Sequence, residues 1–343
     1  ELYRATAAGV TSANILHGSA NAIGGQNATI KLKYRKAPNE LLFPGAPRGV
    51  KFALGENPTQ ANFSGNAGKR FPNSRMGVEA SIRRAFVEAR DYEEALKRDP
   101  ATRRDLRLDA LLGILQGEIL VHCHCYRADE IVMILQTAQA NGFRISSLQH
   151  VLEGYRVAPE IVAAGAGAST FSDWWSYKVE AYEAIPHNAA LMTRAGVLTS
   201  INSDLPHQIR HLTVEAAKTV KYGGLSEQEA LAQLTINPAK QLGIEKLAGS
   251  IEVGKHADLA LFNGHPLSPY SRCVMTLIDG EVVFEKRDVP NRSTPAFHPM
   301  KRLRRDVEPP LKAETFMIVG ATIHPVSRPA FEGTVVVENG KIV

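Results

Sequence analysis

Short apolar runs, each closed by a polar tip and followed by a helix-periodic stretch, recur along the chain as far as Ala248. Ile119-Leu120-Val121 leads into His122-Cys123-His124-Cys125-Tyr126, and residues 127–140 then carry helical periodicity. Arg144 to Gln149 reads as the next strand, with His150 at its tip, and Gly167 to Phe171 as another. Gly196 to Ser203 ends at Asp204, before Leu205-Pro206. Upstream, residues 9–16, 27–33 and 48–58 read as strands, and residues 76–115 as a two-helix insertion, too long for one ordinary connection. Strand, polar tip, then helix is how an α/β barrel presents chemical groups, at the C-terminal ends of its strands. From Ala248 onward the pattern alternates with turn residues, as hairpins do.

The expectation is an α/β chain: a (β/α)8 TIM-type barrel, incomplete at its N-terminus, over residues 1–248, with strands two to eight and a helical insertion over about 59–117. A small β-sandwich domain follows over 249–287, then a Pro- and Arg-rich linker over 288–312. Residues 313–343 supply strands that either belong to a second small β-sandwich or complete the first.

The 343 residues, 44% hydrophobic, suffice for one barrel of about 250 residues and a smaller domain. The net charge of +5 is spread along the chain apart from Lys301-Arg302-Leu303-Arg304-Arg305, with no basic element interleaved with stacking aromatics, so no nucleic-acid partner is expected. Three cysteines, Cys123, Cys125 and Cys273, do not make a disulfide framework. No run approaches the 18 or so apolar residues that cross a bilayer, so no membrane partner is expected. The first residue is Glu1, so a signal peptide is not addressed; a cytoplasmic setting is favoured, and self-association is left open.

Side chains alternate along a strand, so His122 and His124 share a face and Cys123 takes the other. His122, His150 and Asp204 each close a different strand and offer imidazole nitrogen and carboxylate oxygen, the ligands of zinc, with iron or manganese as alternatives. Lys51 lies in an apolar strand, where it could carry a carbamate that bridges two ions or form an internal ion pair. Glu56 beyond it is the alternative oxygen ligand. Asn21 and Gln26, in a Gly-rich loop, and Trp174, in an aromatic loop with Trp175, are candidate substrate-binding residues. One structural reading of these groups is hydrogen-bonded histidines at a barrel rim and packed tryptophans.

Over about residues 1–287 the chain resembles the metal-dependent amidohydrolase superfamily, in particular its imidazolonepropionase-like and cyclic-amide or dipeptide-hydrolysing branches. The resemblance rests on His122-x-His124, His150, Ser203-Asp204, Thr235-Ile-Asn-Pro-Ala-Lys240 and Gly249-Ser-Ile-x-x-Gly254-Lys-x-Ala-Asp258-Leu. Residues 49–53 resemble the segment that bears a carboxylated lysine in binuclear members, which places Lys51 ahead of Glu56. The first-strand H-x-H of the family is not found, and residues 316–342 resemble its N-terminal β segment placed at the end. Both suggest a fragment of a longer tandem chain.

The resemblance implies hydrolysis of a C–N bond in an amide or cyclic amide of a small molecule, with one or two divalent ions held by His122, His150, Asp204 and Lys51. Asp204 would also move the proton, and His124 would orient the substrate or a ligand. The alternatives are a non-catalytic barrel acting as a binding or assembly module, and a ring-amine deaminase.

Overall fold

The computed structural model describes residues 1–59, 70–174, 176–286 and 315–343. Trp175, the 288–312 linker with its basic cluster, and part of the helical insertion lie outside the described residues.

One seven-stranded sheet runs in chain order: β1 (Ser12–Ile15), β2 (Ile23–Lys31), β3 (Arg48–Ala53), β4 (Ile119–Cys125), β5 (Ile145–His150), β6 (Gly167–Thr170) and β7 (Leu198–Ile201). The helices are α1 (Leu2–Thr6), α2 (Pro38–Leu41), α3 (Glu56–Thr59), α4 (Arg75–Arg98), α5 (Leu106–Leu115), α6 (Ala128–Ala140), α7 (Ala158–Ala163), α8 (Asn188–Arg194), α9 (Leu212–Lys221), α10 (Glu227–Ala232) and α11 (Ile236–Gln241). From β3 to β7 all pairings are parallel. This curled half-barrel with outer helices is the incomplete TIM-type barrel read from the sequence.

The first two strands depart from that reading. β1 pairs antiparallel with β2, and β2 antiparallel with β3. Parallel neighbours need a crossover of about a dozen residues or more, and residues 16–22 are too few to make one. β2 also begins at Ile23, so Gly24, Gly25 and Gln26 are strand residues rather than loop. A Cβ at Gly24 would lie 2.0 Å from the His17 ring, so glycine is what lets this strand lie against His17.

Alternation along the strands divides the sheet into two faces. Val50 and Phe52 of β3, Val121, Cys123 and Cys125 of β4, and Leu148 of β5 pack against α4, α6 and α7 residues in one buried core. Within it Phe86 stacks on Phe143 with centroids 4.2 Å apart. The opposite face carries Lys51, His122, His124, Ser147, Gln149, Ser169 and Ser200. The long α4 is capped by Ser74, whose hydroxyl accepts from Gly77 N, and α10 by the Ser226–Glu229 capping box.

The antiparallel sheet β8 (Leu259–Phe262), β9 (Cys273–Ile278) and β10 (Glu281–Glu285) lies beside a second one, β11 (Thr315–Ile323), β12 (Phe331–Glu338) and β13 (Lys341–Ile342). Ala257, Leu259 and Leu277 share a core with Ile323, Val335, Val337 and Ile342. Ala257 N donates to Gly340 O (2.8 Å), and Gly254 N to Ile342 O (2.8 Å). These bonds join residues 249–286 to 315–343.

Lys31 ties this β unit to the barrel sheet. Its ammonium is fully buried and lies 2.8 Å from His256 Nδ1, 2.8 Å from Asp258 Oδ2 and 2.5 Å from Asp279 Oδ1. Phe43 lies beneath it, 4.6 Å away, and Lys33 pairs with the other Asp279 oxygen at 2.6 Å. Although burial opposes ionisation, the hydrogen bonds from Lys31 and Lys33 hold the Asp279 carboxyl below its ordinary pKa.

Candidate functional site

The parallel register brings the candidate residues into rows. Lys51 on β3 is level with His122 on β4, which is level with Ser147 on β5. One row nearer the C-terminal ends, Ala53, His124, Gln149, Ser169 and Ser200 stand side by side across β3 to β7. His150 and Asp204 lie beyond them. β4 runs through Cys125, so His122 sits in mid-strand rather than at a tip, and His124 is the histidine nearer the strand end.

His124 and His150 meet edge to face, their ring centroids 4.7 Å apart. Tyr126 is edge-on to His124 at 4.7 Å and stacked on His150 at 5.4 Å, and Phe171 stacks on the other side of His150 at 5.1 Å. Trp174 stacks on Phe171 at 4.0 Å, so it supports the ring stack behind His150 and does not line the main cavity. His124 Nδ1 is buried and has no hydrogen-bond partner among the described residues, and its Nε2 is 3.4 Å from Asn57 Nδ2. His122 Nδ1 is 2.7 Å from Ser147 Oγ, which also accepts from Gln149 Nε2 at 2.6 Å. His150 Nδ1 is 3.2 Å from Asn202 Nδ2.

All three imidazoles are held neutral by burial. It lowers the pKa of His122 to about 4 and of His150 to about 3, and pushes His124 down as well, with Lys51 and Lys178 adding positive charge near His124 and His150. Burial also lowers the pKa of Lys51, opposed by Asp204; its ammonium donates to His17 O at 2.8 Å. Asp204 keeps an open surface at the mouth, yet its carboxyl is raised because its surroundings are partly desolvated, opposed by Lys51 and Lys178.

The neutral histidines set a stability expectation for the chain in chelator. In the unfolded chain they protonate below about pH 6.5, whereas His122 resists until about pH 4 and His150 until about pH 3. Their folded pKa values are depressed, so they leave stability untouched above the unfolded value and reduce it as pH falls. Each contributes up to about 1.4 kcal/mol per pH unit across its window. Urea midpoints measured from pH 7 to pH 4 should fall steadily, and a His122→Asn, His150→Asn variant should fall less.

The turn after β5 is strained. His150 has φ 75° and Val151, a β-branched residue, φ 39°. Three bonds hold it: Val151 N to Cys125 O (3.0 Å), Thr170 Oγ1 to His150 O (2.8 Å), and Asn188 Nδ2 to Val151 O (2.8 Å). Strain kept in place by surrounding bonds is a mark of functional positions. Asn188 and Thr170 were not singled out from the sequence, and neither were Tyr126, Ser147 and Gln149. The Asn188 signal lies in tertiary contacts alone, but the alternation that assigned His124 to the inner face could have assigned Gln149 and Ser147 to it as well.

Glu56 opens the single turn of α3 instead of ending a strand, and pairs with Lys178 at 3.6 Å. Its backbone N donates to Glu180, which Arg75 also binds while it contacts Glu130 at 2.8 Å. This network fixes the floor beside His124. Neither Asn21 nor Gln26 lines the main cavity; Gln26 is exposed and pairs with Val50 in the antiparallel β2–β3 ladder.

That cavity, of about 1280 Å³, is lined on the sheet side by Lys51, Ser147, Gln149, His150, Ser169, Ser200, Asn202 and Asp204. Apolar residues of α1, α9 and the β unit close its far side. Among the described residues, the trio of ligand atoms lying within 4.8 Å of one another is His256, Asp258 and Asp279, and the Lys31 ammonium already sits among them. His122, His150 and Asp204 do not form such a trio.

Residues 80–289 match the Amidohydrolase family. The chain is 32% identical to Amidohydrolase tasK of Hapsidospora irregularis over 305 residues, which cover 81% of this chain and 31% of that protein. It is 26% identical to the imidazolonepropionase of Thermoplasma volcanium over 167 residues, 46% of this chain and 41% of that one. The chain thus spans well under half the length of these curated relatives. The crystal structure of an amidohydrolase from Thermotoga maritima MSB8 superposes with a TM-score of 0.76 at 33% identity, covering 83% of this chain and 74% of that one.

Proposed function

The chain belongs to the amidohydrolase family, and on that premise we propose that the inner face of its curled sheet is a metal-assisted hydrolase site that opens a C–N bond in an amide or cyclic amide. The observation that carries the reading is the convergence of Lys51, His150 and Asp204 on one cavity at the inner face of the parallel strands, with the His124 ring against that of His150. The donor set suits a divalent ion: imidazoles kept neutral by burial, a buried His124 nitrogen with no partner, and a carboxylate at the mouth. The ring contact favours His124 with His150 as the imidazole pair, because His122 lies one row deeper, in mid-strand. Zinc is the first choice of ion. Lys51, its pKa lowered, has more of the free amine that adds carbon dioxide, so a carbamate there would extend the ligand set to a second ion.

When bound, the ion would lower the pKa of a water and polarise the scissile carbonyl. The chain does the rest. Asp204 takes the proton of the attacking water on its carboxylate and returns it to the leaving nitrogen, a role its raised pKa suits. Asn202 and the Phe171–Tyr126 stack hold the His150 ring in one plane. The same reading takes residues 249–286 and 315–343 as one small β domain.

The test is release of amine, ammonia or acid from a panel of amides and cyclic amides by the zinc-loaded chain. Turnover that disappears with chelator supports the reading. Turnover indifferent to chelator would remove the metal from it. A binding-module reading draws on the absence of a preassembled trio among His122, His150 and Asp204, and predicts no turnover with or without metal.

A further inference from the structure

The inner rows of a barrel sheet are ordinarily filled by branched apolar side chains. Here the row beside His124 is Gln149, Ser169 and Ser200, all facing the cavity. Gln149 is 8% exposed and Ser169 4%, so both are taken from bulk water. Their hydrogen-bonding capacity is only partly used. Gln149 Nε2 donates to Ser147 Oγ, and among the described residues its Oε1 accepts no hydrogen bond and Ser169 Oγ makes none. Asn202, one step beyond, turns its Nδ2 to His150 and leaves a buried Oδ1 without a partner. Ser200 is different: its hydroxyl donates to Gln241 Oε1 at 2.9 Å, which pins the end of the row.

Gln149 and Ser169 line the cavity, where solvent or a ligand pairs their free polar atoms, and Asn202 Oδ1 beside them is buried without a partner among the described residues, so one wall presents polar groups to whatever enters. We propose that Gln149, Ser169 and Asn202 form a specificity subsite for a substrate group that both donates and accepts hydrogen bonds, an amide or urea-type group other than the bond being cut. Gln149 Oε1 and Asn202 Oδ1 accept from its N–H groups, and Ser169 Oγ donates to its carbonyl. A site built to pair such groups rejects an analogue that lacks them far more strongly than an apolar pocket rejects a change of size. The inference rests on the hydrolase reading for its place beside the reacting bond, but not for the binding it describes.

The test uses two rings of the same shape. 2-Imidazolidinone carries two N–H groups and a carbonyl, and cyclopentanone the carbonyl alone. Each is titrated into the full chain with chelator present, by ligand-observed NMR. Imidazolidinone should bind at least about tenfold more tightly, the difference expected of one or two hydrogen bonds. Gln149→Met and Asn202→Leu, each of which removes an acceptor for the N–H groups, should shrink that ratio severalfold and leave the cyclopentanone affinity unchanged, a result that loss of folding could not produce. A ratio near one in the unaltered chain, or one that survives in both variants, overturns the proposal. If Gln149→Met does not fold, Asn202→Leu decides alone. No turnover is required, so a chain that hydrolyses nothing but keeps the ratio refutes the hydrolase reading only, and a hydrolase without the ratio refutes the subsite only.

Discussion

Asp204→Asn should lower kcat on any amide the zinc-loaded chain hydrolyses by about a thousandfold, and leave the urea midpoint of the chain close to its original value. General acid–base groups contribute roughly 10²–10⁴-fold, and Asp204 is assigned both halves of the proton transfer. Asparagine has nearly the same shape but can neither accept the water's proton nor deliver it to nitrogen. Among the described residues Asp204 makes no side-chain hydrogen bond whose loss would weaken the fold, and it is exposed at the mouth. Its φ of 52° is one that asparagine also tolerates, so the backbone should not move. A kcat within tenfold of the unaltered chain would take Asp204 out of the mechanism.

Lys31→Met should cost the fold about 3–5 kcal/mol, the range for removing one partner of a buried ion pair. The side chain of Asp258 is 4% exposed and would be left in a dry site without its cation, with only the Asp279 backbone N (2.8 Å), among the described residues, still donating to it. Methionine fills the stem volume, so the loss reports the charge and not a cavity. The double variant Lys31→Met, Asp258→Asn should recover part of it. The loss should appear in the joint between β2 and the β unit, as faster hydrogen exchange in residues 255–259 than in β4 or β5. A change below about 1 kcal/mol would mean that Lys31 does not hold the two parts together.

How far the chain could be read depended on whether the signal was local. Alternation alone separates His122 and His124 from Cys123 and Cys125, and the structure places the cysteines in the helix-facing core and the histidines on the other face. The strand-and-tip pattern of residues 145–150 and 198–204 is equally local, and so are the caps of α4 and α10. The antiparallel turn of β1 and β2 was missed because β1 is only four residues long and β2 carries Gly24-Gly25-Gln26 near its start, so neither start carries a clear periodicity, although the short connection contained the answer. Lys31 gave no signal of its own: its partners lie 225 to 248 residues away, and His256 and Asp258 read only as part of a closing signature. Asn188 was hidden at shorter range, its partners lying 18 to 37 residues away. Asn21 and Gln26 were chosen for a loop that is in part a strand, and pairing with β3 carries Gln26 away from the cavity.

Metal content tests the central claim most directly. The purified chain, loaded with zinc and dialysed, is measured by elemental mass spectrometry beside His124→Ala, His150→Ala and Lys31-intact His256→Ala variants. The account predicts close to one ion or more per chain, lost with His124 or His150 and retained with His256, whose neighbourhood Lys31 already fills. Zinc that survives both barrel substitutions and leaves with His256, or no zinc in any of the four, would contradict it.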